Sequence, residues 1–239
     1  MNETTMTSLI SLSIFLGLMH SVMGPDHYIP FLAMARAGNW TIIRTLAVVG
    51  FCGLGHVLSS VIIGLIGVVL GMAVGRIERI EIFREDVAGW LLIIFGVAFT
   101  IYGIRQMRLN KPHSHHFPKI PAIEHIHDHD ELGGGDECHD HGGHSQGTSM
   151  ISIWTLFVIF VFCPSGPLIP QLMYPAAKGD FLTVVVVAAS YSVTTILTMM
   201  ILVAAGYYGL RKLPPLERYT NVAAGIAIII TGILVKIGL

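Results

Sequence analysis

Six long apolar runs dominate this chain, at roughly 8–35, 41–73, 87–106, 150–176, 181–209 and 218–238. An α-helix needs about 20 apolar residues to cross the hydrocarbon core of a bilayer. No water reaches that core, so each run must satisfy its own backbone, as a helix does. The expectation is an all-α membrane protein with six transmembrane helices. Composition agrees. Only 12% of the 239 residues are charged and mean hydropathy is +0.70, whereas a soluble domain carries about 25% charged residues. A net charge of -1 gives no basic signal for nucleic acid. The segment 1–7 lacks the basic start of a signal peptide, so the first run is read as a retained span.

The first run is interrupted at Gly24-Pro25. Proline has no N–H and clashes with the carbonyl four residues earlier, here Ser21. A matching interruption occurs in the fourth run, where Cys163-Pro164-Ser165-Gly166-Pro167-Leu168-Ile169-Pro170 aligns with Met23 to Pro30. Ala88-Gly89 and Gly96 likewise match Ala224-Gly225 and Gly232. These landmarks predict a three-span unit, 1–106, repeated as 150–239 and inverted, with broken first and fourth helices. Inverted repeats with interrupted helices place a binding site near the midplane. Nine basic residues, Arg36, Arg44, Arg105, Arg108, Lys111, Lys119, Arg211, Lys212 and Arg218, would share one side. Arg76, Arg79, Arg84, Lys178 and Lys236 would lie on the other. The richer side is predicted cytoplasmic. Both termini are then extracytoplasmic, in a plasma (inner) membrane of prokaryotic type.

Between the halves, 107–149 reads as a flexible loop on the cytoplasmic side. It holds His113, His115, His116, His125, His127, His129, His139, His141 and His144, interleaved with acids and glycines. That composition suits several weak, exchangeable transition-metal sites, and its irregular spacing is unlike a single structural zinc site.

Within the spans, His20, Asp26 and His27 flank the Gly-Pro break. Ionisable groups at bilayer depth are costly and mark pathways. Imidazole suits nickel, cobalt, zinc and copper, and a carboxylate adds charge or orients a ligating ring. His56, one helical turn after Cys52 and one before Ser60, adds a third imidazole on a polar stripe with Ser59 nearby. In the second half Ser190 and Thr194 form the corresponding stripe, and Cys163 sits at the break. Packing and backbone capping would account for each residue singly, whereas the clustering points to metal: His20, Asp26, His27 and His56 as ligands, and Cys52, Ser59, Ser60, Cys163, Ser190 and Thr194 as additional pathway groups. The three cysteines, Cys52, Cys138 and Cys163, are too scattered for a disulfide framework.

His20-x5-Asp26-His27, followed by Gly55-His56-Val57-Leu58-Ser59-Ser60, resembles the nickel/cobalt transporter superfamily. Five residues separate His20 from Asp26 where that family has four. The chain is closer in this to the six-span relatives grouped with urease-accessory-type membrane proteins and nickel/cobalt efflux proteins. The resemblance implies a secondary transporter of Ni(II) or Co(II), with a His-rich cytoplasmic loop favouring efflux. No nucleotide-binding loop is present, so protons are the natural coupling partner. The expected partners are membrane lipid, the transported ion and protons; homo-oligomerisation is compatible with them. No enzymatic activity and no permanently bound cofactor are expected. The Cys163-Pro164 segment with Pro167 and Pro170 also resembles thiol-reducing membrane proteins of cytochrome c biogenesis, so a thiol/disulfide electron conduit is the alternative. A small-anion (sulfite-type) exporter is another, and so is a metal sensor that transports nothing.

Overall fold

A computed structural model of the chain describes residues 3–70, 74–109, 145–212 and 219–238, all of whose regular elements are helical. The elements are α1 (Glu3–Met23), a 3₁₀ turn (Pro25–His27), α2 (Ile29–Ala37), α3 (Ile42–Val69), α4 (Val74–Leu109), α5 (Ser145–Phe162), α6 (Leu168–Ala177), α7 (Phe181–Arg211) and α8 (Thr220–Lys236). Four stretches are long and apolar enough to cross a membrane: Glu3–Met23, Ile42–Gly67, Arg76–Arg108 and Phe181–Arg211. Ile153–Phe162 and Thr220–Lys236 are apolar but shorter. Phe15, Leu54, Trp90 and Ile201 face outward, whereas Ser13, Asp26, His27, His56, Arg84 and Thr195 are buried. An apolar exterior around a polar interior fits an integral membrane protein.

Both expected breaks are present. Gly24 N–H still bonds the His20 carbonyl, and His27 N–H then reaches the Gly24 carbonyl, closing the 3₁₀ turn. A side chain at Gly24 would come within 2.8 Å of Asp26 Oδ1, so only glycine lets the Asp26 and His27 side chains fold back over the turn. The second break, 163–167, is set by its prolines. The helical donor to the Phe160 carbonyl would be Pro164, and that to the Cys163 carbonyl would be Pro167; neither has an N–H. Ser165 N–H leaves the helix to bond Ser60 Oγ at 3.1 Å.

After each break the chain makes the same turn. Trp40 N–H bonds the Ala35 carbonyl at 2.9 Å, and Asp180 N–H bonds the Pro175 carbonyl at 3.0 Å. Asn39 (φ 48°) and Gly179 (φ 69°) supply the left-handed residue of the two turns, a conformation that glycine and asparagine adopt at least cost.

The tightest seam joins α4 to α8. A Cβ on Gly96 would lie 2.8 Å from the Gly225 carbonyl oxygen, and one on Gly232 would lie 2.9 Å from that of Gly89. This register makes the two helices antiparallel, closed at one end by Lys236 with Asp86 and at the other by Asn221 with Gln106. α1 packs on α7, and α3 packs on α5, α6 and α7.

Two expectations need adjustment. α4 starts well before the expected run at 87, because the charges of Glu81 and Arg84 pair within the helix, one turn apart. Arg84 is therefore not a solvent-facing basic residue of the extracytoplasmic side; it is 5% exposed. The helices also continue into both margins of the expected 107–149 loop. The nine histidines of that loop, and Cys138, lie outside the described residues.

Candidate metal centre

The two breaks meet. The 3₁₀ turn carries Asp26 and His27, the last turn of α1 carries His20, mid-α3 carries His56, and the second break brings Cys163 and Ser165. The ligating atoms of His20, His27 and His56 lie within 4.8 Å of one another, as do those of Asp26, His27 and Cys163. Both groupings have the donor chemistry to hold a metal ion.

Hydrogen bonding fixes which nitrogens are free. His27 Nδ1 is 2.9 Å from Asp26 Oδ1, and an ionised carboxylate can only accept, so Nδ1 carries the proton. His56 Nδ1 is 3.1 Å from the Cys163 carbonyl, which also only accepts. When the rings are neutral their remaining lone pairs are on Nε2, and these two atoms face each other at 3.4 Å. Ser165 Oγ, at 3.0 Å, donates to His56 Nε2. His20 stacks on His56 with ring centroids 5.7 Å apart, and its buried Nε2 has no hydrogen-bond partner among the described residues. A buried nitrogen of this kind is rare without a ligand to take it.

The Asp26 carboxylate works on both sides. Oδ1 holds His27, and Oδ2 accepts from the Cys163 thiol at 2.9 Å. A cavity of about 490 Å³ reaches this cluster, lined by His20, Asp26, His27, Glu85 and Cys163 and extending to Gly238 beyond α8. On the opposite side the rings of Phe160 and Phe31, 4.6 Å apart, close off the imidazoles.

The remaining sequence candidates lie elsewhere. Cys52 packs in the apolar core with Phe31, Val49 and Met199. Ser190 and Thr194 bond back to the carbonyls of Val186 and Ser190 in their own helix. Ser59 and Ser60 receive hydrogen bonds from Arg84.

Arg84 was not singled out by sequence, nor were Glu81, Glu85 and Ser165. Arg84 donates to Val161 O (2.9 Å), Cys163 O (3.3 Å), Ser59 Oγ (2.7 Å), Ser60 Oγ (3.3 Å) and Glu81 Oε1 (2.5 Å). It serves the Cys163 carbonyl, whose helical donor would be Pro167, and the Val161 carbonyl, whose helical donor Ser165 N–H turns to Ser60, and it shares the Cys163 carbonyl with His56. The orphaned carbonyls around Pro164 and Pro167 were the available signal, since each demands a donor from another helix.

No protein-family model, curated protein or solved structure matches this chain, which leaves the chemistry of the buried imidazoles, carboxylate and thiol as the guide to its function.

Proposed function

We propose that the chain is a secondary transporter of divalent transition-metal ions, carrying Ni(II) or Co(II) outward across the membrane. One observation carries the reading: His27 Nε2 and His56 Nε2 face each other at 3.4 Å with both Nδ1 protons already committed. Two nitrogens bonded at ~2.0–2.1 Å to one tetrahedral ion stand ~3.4 Å apart. A cation between them would take both lone pairs, displacing the Ser165 hydroxyl that now donates to His56 Nε2. His20 Nε2 offers a third donor, and Asp26 orients His27 as an acceptor behind the ligand. The likeness of His20-x5-Asp26-His27 and Gly55-His56 to nickel/cobalt carriers supports the choice of cargo. Protons are the coupling partner this chemistry offers, because imidazole holds either a proton or a metal on the same nitrogen.

The alternatives fit less well. A thiol conduit needs a cysteine pair, and Cys52 sits in the apolar core while Cys163 bonds Asp26. An anion exporter wants cations along its cavity, and the charged groups lining it are Asp26 and Glu85. Arg84, buried as it is, spends its donors on carbonyls, hydroxyls and Glu81.

We read the six apolar segments as six crossings in two inverted halves, 1–106 and 150–239. Residues 23, 30, 35, 39 and 40 correspond in constant step to 163, 170, 175, 179 and 180, and the turns they build match. The antiparallel run of α4 and α8, the third and sixth crossings, is what inversion requires. The 17 residues of α8 span ~26 Å at 1.5 Å per residue, close to the ~30 Å hydrocarbon core.

The test is metal uptake by proteoliposomes holding the purified chain, comparing Ni, Co, Zn, Mn, Fe and Cu, with and without a proton gradient. Uptake of Ni or Co that falls at least tenfold in His27→Ala is expected, following the ~10–100-fold effects of disturbing a metal site. Vesicles that accumulate none of these ions would overturn the transport reading.

A further inference from the structure

We propose that Cys163 and Asp26, beside His27, form a second metal subsite on the cavity side of the three imidazoles, and that its thiol makes the protein prefer thiophilic ions over hard ones. The inference rests on the metal-transport reading and adds a selectivity device to it. Asp26, His27 and Cys163 place their ligating atoms within 4.8 Å of one another. Asp26 Oδ2 and Cys163 Sγ already face each other at 2.9 Å, while Oδ1 is engaged with His27. Cys163 also lines the cavity that leads to the imidazoles.

Sulfur is concentrated along that approach. Met23 and Cys163 occupy corresponding stations at the two breaks, and both line the cavity together with Met19. Thiolate and thioether donors favour ions such as Zn(II), Cd(II) and Cu(I), whereas oxygen-only surroundings favour Mg(II) and Mn(II). An ion reaching Asp26 and Cys163 exchanges a thiol proton for a metal–sulfur bond: the S–H bond breaks, the S–metal bond forms, and the proton leaves through the cavity to bulk water. No electron changes hands. His27 stands between the two sites: its Nδ1–H stays on Asp26 Oδ1 while its Nε2 faces His56, so the ion leaves Asp26 Oδ2 and Cys163 Sγ to be taken up by Nε2 on the far side of the ring.

Co(II) reports the two subsites separately. In the full chain carrying Cys52→Ala and Cys138→Ser, Co(II) should produce two signals. One is the set of intense visible bands of four-coordinate cobalt, which His27→Ala removes and which therefore belong to the buried site and not to the loop. The other is a near-ultraviolet sulfur-to-cobalt charge-transfer band, which Cys163→Ser removes while the visible bands persist. In the same proteoliposomes, Cys163→Ser should lower the preference for Cd(II) over Mn(II) on the order of tenfold. Persistence of the visible bands in Cys163→Ser also reports that this variant has folded. Visible bands without the charge-transfer band, or a charge-transfer band that survives Cys163→Ser, would overturn the thiol subsite and leave the imidazole site standing. The absence of all His27-dependent bands would instead overturn the metal reading itself.

Discussion

Asp26 accepts the Nδ1 proton of His27, and that one bond decides which nitrogen points at His56. An amide at position 26 can donate to Nδ1 instead, which moves the proton to Nε2 and blocks the lone pair. Asp26→Asn should therefore lower Co(II) or Ni(II) affinity by about 10–100-fold with little effect on folding, measured by titration calorimetry of the purified protein. Arg84 carries a different burden. Arg84→Met would strand Glu81, whose side chain is 10% exposed. Breaking a buried pair in this way costs about 3–5 kcal/mol. Adding Glu81→Gln removes the stranded charge, so the double variant should recover much of the loss in a thermal unfolding series in detergent. The contrast between these residues explains what the sequence made legible. His20, Asp26, His27 and His56 stand out because an apolar run gives ionisable groups few other reasons to be there. Arg84 does not, because 76–86 is dense in charge and reads as a solvated connection; only the fold turns one of its cations inward.

Helix boundaries follow the same logic. The interruptions in the first and fourth runs were readable because proline removes a specific donor, and the glycines at 89, 96, 225 and 232 were readable as landmarks. That these glycines face one another was not, since pairing is a property of two helices and not of either alone. At Gly96 an added methyl meets the Gly225 carbonyl oxygen at 2.8 Å and Ile229 Cγ1 at 2.7 Å, whereas at Gly50 it meets nothing within 4 Å. Gly96→Ala should force α4 from α8 and destabilise by about 1–3 kcal/mol. Gly50→Ala should be neutral or mildly stabilising by the ~1 kcal/mol helix preference of alanine. Denaturation by increasing SDS distinguishes them. At the start of α7, Asp180 Oδ1 accepts from Thr183 N–H at 3.1 Å. That backbone bond holds the Asp180 carboxyl below its ordinary range. A lowered folded-state pKa means the cap contributes above the ordinary carboxylate pKa and is lost as pH falls through the lower value. Amide exchange in the first turn of α7 should quicken on acidification, and Asp180→Asn, which caps without titrating, should abolish that acid dependence.

At the scale of the whole molecule, the two ends of the bundle differ. Arg36 Nη1 bonds the Leu210 carbonyl, so α2 and α7 finish together. A second cavity of about 710 Å³ opens there, lined by Arg36, Trp40, Gln106 and Arg211. The cavity that reaches His20 and Asp26 runs toward the other end, where α8 finishes. Phe31, Phe160, Val49, Leu92 and Met199 pack between them. Among the described residues the imidazoles are approached from this one side, and under the proposed transport alternating access would require the apolar plug to open as the Asp26 side closes. Which membrane face each end meets follows from the arginines: the end with Arg36 and Arg211 should be cytoplasmic, and the present conformation then faces outward. Single cysteines test this in intact cells with a membrane-impermeant maleimide, in a Cys52→Ala, Cys138→Ser, Cys163→Ser background. Lys178 and Lys212 are both exposed, Lys178 just before α7 begins and Lys212 just after it ends. Lys178→Cys should label directly, and Lys212→Cys only after the cells are made permeable. The reverse pattern would turn the molecule over, place the cavity to His20 and Asp26 on the cytoplasmic side, and make this the conformation that loads metal from within.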